Sequence, residues 1–459
     1  MASRQVYLLK NSLKVSIIVL LGASAAQAQD TTAAVEAAPV AVEVAPAPTP
    51  APVPAPAPVV SKPSFTIGGE YRPRVEVRND PTTRYLGKDP HTNVVFSHRA
   101  RLKGGVEWKG FGVTLTPQDV RQWGSELSTL AVTSPVMEMH EAYAQYATTN
   151  VLVRIGRQEF SFDDERLIGA VGWAQQGRAF DGARVGWRAT DGSADADLFG
   201  AVLELKTKPL TPAPPAPNPA TDKFLVGAHG RYAPIKGLTV SGLGVMEKGM
   251  RTGFDRYTFG PRVLFNKSNI VADAAAYYQL GTITPAPKAE KDLQAWMAGL
   301  RLGYDDPKLF GVLAGIDMLS GDNAVGDKKV RSFDTLYATG HKWYGTMDYF
   351  TVFVPDATKN HTAGLGLNDA VVTLKYAGVN KLKLQVDQHF FGTNQETPSK
   401  TSHLGAETDL TVDYGINQYV KISGGYSLFS FGDAMSVIKP VIKSGDLGHW
   451  SWLMTSFQL

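Results

Sequence analysis

The 459-residue chain has no cysteine. Disulfide scaffolds, thiol nucleophiles and cysteine-ligated metals are therefore excluded. Beyond residue 28 it also lacks any apolar run near the ~18 residues that a membrane-crossing helix needs. It has no strong charge of either sign, because 46 Lys and Arg offset 43 Asp and Glu to leave +3. Arg4, Lys10 and Lys14 precede an apolar stretch at residues 15–21 and an Ala26-Gln27-Ala28 sequence. This order predicts a signal peptide over residues 1–28. Its cleavage removes three positive charges and leaves a formally neutral chain. A neutral exported protein does not suit nucleic acid as a partner.

Enzyme signatures are missing as well. The sequence contains no G-x-S-x-G, no H-E-x-x-H and no phosphate-cradling Gly-Lys-Ser/Thr loop. Its nine histidines, His140, His229, His341 and His389 among them, are scattered and read as hydrogen-bonding groups rather than metal ligands. Asp163, Asp164 and Asp322 lack the spacing of a calcium loop. Glu407 and Asp409 sit two residues apart, as one wet strand face requires, so they read as lumen charge before they read as a glycosidase pair. No catalytic residue, cofactor or metal is expected, and an outer-membrane enzyme is kept only as the remote alternative.

What the chain has in abundance is alternation. In residues 65–78, Phe65, Ile67, Tyr71, Val75 and Val77 fall on one face, while Glu70, Arg72, Arg74, Glu76 and Arg78 fall on the other. Strand side chains point alternately to opposite faces, so the pattern describes one greasy wall and one wet wall. Tyr257, Phe259, Val263 and Phe265 oppose Arg256, Thr258 and Arg262 in the same way. Leu382, Leu384 and Val386 oppose Lys383, Gln385 and Asp387, and Leu404, Leu410, Val412 and Tyr414 oppose Glu407, Asp409 and Asp413. Lipid cannot satisfy an open sheet edge, so strands that cross a bilayer must close into a barrel. An arginine facing lipid at the midplane costs ~2–4 kcal/mol, which turns the charged faces inward onto water.

The predicted fold is all-β, a transmembrane antiparallel β-barrel over residues 65–459. Eight tight connections rich in Gly, Asn, Asp and Pro alternate with nine long ones. The long ones fall at residues 79–93, 121–136, 160–180, 204–223, 247–255, 280–292, 319–367, 392–402 and 430–447. That arrangement gives 18 strands with both ends on the short-turn, periplasmic side, with 16 as the alternative count. Tyr71, Trp108, Tyr146, Trp187, Tyr232, Tyr304, Tyr376 and Tyr414 fall where aromatic girdles belong. Residues 29–64, rich in Ala and Pro, cannot bury a core and are expected to form a disordered, extended tether. A second Pro-rich stretch, residues 209–219, reads as an exposed loop.

Within the long connections the sequence resembles the alginate export family of outer-membrane barrels. The likeness is carried by Gln118-Asp119-Val120-Arg121-Gln122-Trp123-Gly124, His140-Glu141-Ala142-Tyr143 and Gly156-Arg157-Gln158-Glu159-Phe160. It continues in Asp164-Glu165-Arg166-Leu167-Ile168-Gly169, Gly172-Trp173 and Gln176-Gly177-Arg178-Ala179-Phe180-Asp181-Gly182-Ala183-Arg184. A second block holds Ser320-Gly321-Asp322, Leu336-Tyr337-Ala338-Thr339-Gly340-His341-Lys342-Trp343-Tyr344-Gly345 and Met347-Asp348. The resemblance implies an 18-stranded pore that passes an anionic polysaccharide through a lumen of arginine and carboxylate. One departure is the last short turn, Gly415-Ile416-Asn417, which is too short to plug a pore.

The residues give the same lumen two readings. Arg72, Arg74, Arg99, Arg101, Lys103, Arg154, Arg184, Arg188, Arg231 and Arg262 would line an anion path, opposed by an acidic wall of Asp387, Glu407, Asp409 and Asp413. Guanidinium forks bind carboxylates while staying ionised, so weak successive sites would let a polyuronate or small carboxylated solutes step through. The alternative is a general diffusion porin for small hydrophilic solutes. In it Asp164, Arg166, Arg178, Asp322, His341 and Lys342 mark the loops that constrict the pore. Expected partners are outer-membrane lipid, an anionic cargo and periplasmic export proteins.

Overall fold

The computed structural model describes residues 62–81, 92–125, 137–205, 222–249, 254–284, 290–324, 326–353 and 360–459. The expected signal peptide, the Ala/Pro-rich tether up to residue 61 and the stretch 209–219 lie outside the described residues.

Among those residues the chain forms a closed antiparallel barrel of 18 wall strands. They are β1 (Ser64–Asn79), β2 (Asn93–Trp108), β3 (Phe111–Gln122), β4 (Glu138–Ala147), β5 (Val151–Gln158), β6 (Phe180–Arg188), β7 (Ala194–Glu204), β8 (Lys223–Ile235) and β9 (Leu238–Gly249). Then follow β10 (Phe254–Lys267), β11 (Ile270–Ile283), β12 (Lys291–Asp305), β13 (Phe310–Leu319), β15 (Leu367–Val379), β16 (Leu382–Gly392), β17 (His403–Gly415), β18 (Val420–Phe431) and β19 (Leu447–Gln458). The two-residue β14 (Lys329–Val330) is no part of the wall and pairs in parallel with the long-loop end of β12. Each wall strand pairs with its neighbours in sequence, and β19 returns to β1 from Glu70↔Gln458 to Asn79↔His449. No open edge remains to be satisfied in lipid.

The short turns gather at one end, and their residues show why. Lys109 and Gly110 (φ 49° and 83°) and Ser268 and Asn269 (φ 53° and 65°) take the left-handed pairs of conformations that match strand twist in two-residue hairpins. Beside these turns, Trp108, Phe111, Tyr146, Trp187, Tyr232, Tyr304, Phe310, Tyr376 and Tyr414 are exposed on the outer face. They form the aromatic girdle of the periplasmic boundary. The outer face is otherwise apolar, as at Phe65, Ile67, Val153, Ile155, Leu198 and Val226.

The inner face is not uniformly wet. The connections over residues 159–179 (loop 3) and 320–366 (loop 7) turn into the barrel and bury Phe160, Phe162, Leu167, Ile168, Phe333, Tyr344, Met347 and Phe350. They pack on inward-facing apolar residues near the long-loop ends of the strands, including Phe199, Leu225, Leu293, Phe391, Phe429 and Phe431. Leu404, which alternation groups with the lipid side, is fully buried in this cluster. The register breaks beside it, between Phe391 and Gly392, and Gly405 has φ 148°. An extra residue at such a bulge re-aims the side chains that follow.

Candidate functional site

Loops 3 and 7 meet across the lumen and are joined by backbone. Ile168 and Tyr337 form a parallel bridge. Tyr337 N–H donates to Leu167 O at 2.8 Å, Gly169 N–H to Tyr337 O at 2.9 Å and Thr339 N–H to Glu165 O at 3.0 Å. Arg166 lies beneath this joint. Its guanidinium bonds Asp164 at 2.9 Å, pairs with Asp317 on β13 and sits 3.8 Å from the Trp343 ring. Burial alone would pull the Arg166 pKa down, but Asp317 and Asp164 outweigh it and hold the charge in place. Arg262 on β10 reaches the same Asp164 at 3.4 Å while bonding Asp273 at 2.7 Å. Lys342 and the Trp343 indole both donate to the Asp164 carbonyl, at 3.0 and 3.1 Å, and burial lowers the Lys342 pKa. Arg178 donates to Gly169 O, Ala338 O and Tyr337 O. His341 pairs with Asp348 at 2.9 Å and stacks on Trp173 at 4.5 Å. Asp322 stays within loop 7, accepting from the Arg331 backbone at 3.1 Å and its guanidinium at 3.3 Å.

A second group stands on β1 and β2. Arg72 and Arg99 are direct cross-strand partners, flanked by Arg74 and Arg101, so pleat and register put four guanidiniums on one inner face. Arg99 forks onto Glu70 at 2.8 and 2.6 Å, and Arg74 pairs with Glu76 at 2.8 Å. All four also donate to loop 3 carbonyls between residues 172 and 176. Arg74 lies 4.3 Å over the Trp173 ring. A cleft of about 460 Å³, lined by Arg74, Arg78, Arg121, Trp173 and Trp450 among others, opens on one side of this segment. One of about 320 Å³, lined by Glu70, Arg72, Arg99, Tyr419 and Lys421 among others, opens toward the short-turn end.

The other expected basic residues are spread around the wall. Lys103 is half-exposed and 3.5 Å from Glu141. Arg154 bonds Gln145 at 2.8 Å over the Tyr143 ring. Arg184 and Arg188 converge on Asp197 at 2.8 and 2.9 Å, and Arg231 pairs with Asp195. Asp195, Asp197 and His229 have ligand atoms within 4.8 Å of one another, but the arginines already compensate both carboxylates. On the acidic side Glu407 accepts from Met347 N–H at 2.7 Å, and Asp409 accepts from Thr346. Asp387 bonds Gln385 at 2.7 Å, and Asp413 pairs with Lys421 at 2.9 Å. Glu70 was read from the sequence as part of the wet face of β1, but Asp195, Asp197, Asp273 and Asp317 were not singled out. Each lies on the inward parity of its strand, which was the available signal.

The sequence matches the alginate export family over residues 64–442. No curated protein matches it. Solved outer-membrane proteins share the fold. OccAB4 of Acinetobacter baumannii superposes with a TM-score of 0.59 at 11% identity, covering 86% of this chain and 98% of its own. OccK8 (OprE) of Pseudomonas aeruginosa gives 0.57 at 12% identity with the same coverage. OpdK of Pseudomonas aeruginosa, solved with vanillate, gives 0.54 at 12% identity, again covering 86% and 98%. A closed barrel of 18 strands, an apolar outer face and a charged, loop-filled interior agree with that family match: the chain belongs to the alginate export family of outer-membrane β-barrel channels.

Proposed function

We propose that the channel passively passes an anionic polysaccharide or small carboxylated solutes along the arginine-bearing side of its lumen. The observation that carries this reading is the comb of Arg72, Arg74, Arg99 and Arg101 beside two open clefts. These guanidiniums are fixed by the sheet, and carboxylate forks onto such groups are strong and directional. Arg154, Arg184, Arg188, Arg231 and Arg262, with Lys103, extend positive charge around the wall, each held by an acid or an amide as Arg99 and Arg74 are by Glu70 and Glu76. The expected acidic wall does not oppose the comb: Asp387, Glu407, Asp409 and Asp413 stand on β16 and β17, three to five strands round the closed ring from β1 and β2, and Glu407 and Asp409 are buried beneath loop 7. Vanillate, found in OpdK, is a carboxylate and belongs to the class of ligand that this chemistry suits. Periplasmic export proteins would then deliver the polymer, with residues 29–64 as the reach to them.

The test is reversal potential in planar bilayers. Arg99→Glu with Arg101→Glu should move the pore from anion toward cation preference, and unchanged potentials would remove these residues from the path. A second reading, a general diffusion porin, is favoured by loops 3 and 7 filling the outer part of the lumen. Liposome swelling separates the two: uronate oligomers outpacing neutral sugars of equal size support the anion path, and equal rates support the porin.

A further inference from the structure

The comb on β1 and β2 is already occupied by the chain itself. Arg72 donates to Gly172 O at 2.8 Å, Ala174 O at 2.8 Å and Trp173 O at 3.1 Å, and Arg74 donates to Trp173 O at 2.9 Å. Arg99 reaches Ala174 O and Gln175 O at 3.3 and 3.4 Å, and Arg101 reaches Gln176 O at 2.9 Å. Five consecutive carbonyls thus face four guanidiniums, so a row of acceptors from the chain itself holds the groups that a carboxylated polymer would need. The side chain of Gln175 completes the seat, accepting from Arg72 at 3.1 Å and donating to Ser97 Oγ at 3.0 Å.

The segment is bounded in the way a movable piece would be. Its two ends, Val171 and Gly177, both have positive φ, 53° and 69°. Glycine adopts this conformation freely, whereas a β-branched valine is a steric outlier there and stores strain. The neck just outside is pinned: Arg178 N–H donates to Ala170 O at 2.7 Å, and the Arg178 guanidinium holds the loop 7 carbonyls of Tyr337 and Ala338. Lifting the tip parts Trp173 from His341, Trp450 and Trp452 and Val171 N–H from Thr339 Oγ1, while the rest of loop 3 keeps its own ties to loop 7. The tip lines the cleft beside Arg74 through Trp173 to Gln176, whereas the cleft beside Glu70 and Arg99 holds none of its residues.

We propose that residues 171–177 are a displaceable strap whose carbonyls act as a self-ligand, and that a carboxylated sugar opens the path by taking the guanidinium comb from them. The exchange is favoured because a carboxylate brings a full negative charge and a bidentate fork to guanidiniums that the strap meets only with single neutral carbonyls. It also frees Val171 from its strained conformation. The ligand binds only the lifted state, and that difference in affinity is what a population shift needs. The inference rests on the anion-path reading and adds what occupies that path at rest.

Because the chain has no cysteine, Ser97→Cys with Gln175→Cys can be bridged cleanly by a bifunctional methanethiosulfonate in the mature protein. Planar-bilayer recordings would use glucuronate and a glucuronate oligomer as probes, with glucose as the neutral control. Before bridging, glucuronate should raise the occupancy of a higher conductance level several-fold and glucose should not. After bridging, that response should vanish and return on reduction. Identical gating in bridged and reduced pores would overturn the strap. If Arg99→Glu with Arg101→Glu still abolished anion selectivity in that case, the anion path would stand without it. Conversely, replacing residues 172–176 by two glycines should raise conductance. If the bridge then controls conductance but uronate and glucose pass alike, the strap stands and the anionic cargo falls.

Discussion

At the scale of single residues, Arg166 shows what a buried charge does in this lumen. Both it and its partners Asp164 and Asp317 are almost wholly buried, and the trio ties loop 3 to the wall. Removing one member of a buried pair leaves an uncompensated charge, which typically costs about 3–5 kcal/mol. Arg166→Met should therefore lower stability by about that amount, read as a lower urea midpoint for the barrel in lipid or detergent, and a wild-type midpoint would contradict the role. Arg166 itself was legible, since it stands in a sequence block that resembles a known family. Its partner was not, because Asp317 lies 151 residues away and no spacing links the two. The same holds for the comb. Alternation put Arg72, Arg74, Arg99 and Arg101 on the inner face, but the loop 3 acceptors that meet them are mostly backbone carbonyls, and every residue has one of those.

At the scale of elements, the strands and turns were readable because the bilayer imposes the alternation and the turns demand particular residues. The eight predicted turns and nine long connections fall where the strands end. The inner surface was harder. Leu225, Leu293, Phe391, Phe429 and Phe431 keep the period of two but exchange charge for bulk where loops dock, and the period alone does not say what covers an inward face. Leu404 failed for a different reason, since a bulge shifts parity without changing composition. Loop 7 carries its own titrating group. The His361 Nδ1 accepts from Thr351 N–H at 3.2 Å, and burial together with Lys439 pulls the His361 pKa from 6.5 down to about 4, against the pull of Asp348. A histidine whose pKa is depressed in the seated loop binds protons more readily once the loop is released. The seated form is thus fully favoured above pH 6.5 and loses ground as pH falls toward 4. Amide exchange in loop 7 should accelerate between pH 7 and 4.5 after correction for intrinsic rates, and His361→Gln should flatten the profile.

At the scale of the whole molecule, the wall and its filling differ in how they are encoded. Every wall pairing except the closing one joins neighbours in sequence, whereas the filling joins distant segments. The guanidinium of Arg178 meets Tyr337 across 159 residues of chain. Contacts between remote segments pay their loop-closure entropy before they return any stabilisation, so they form late. A nascent pore would therefore exist first as an empty hoop and only afterwards acquire its narrow waist. In refolding from urea into liposomes, the shift to fast gel migration should precede the fluorescence change of Trp343 as sole tryptophan. Simultaneous changes would show that hoop and waist arise together. A cell making this protein then faces a short interval of leakiness after each insertion, and its length is set by how quickly two loops find one another inside a cylinder that has already shut.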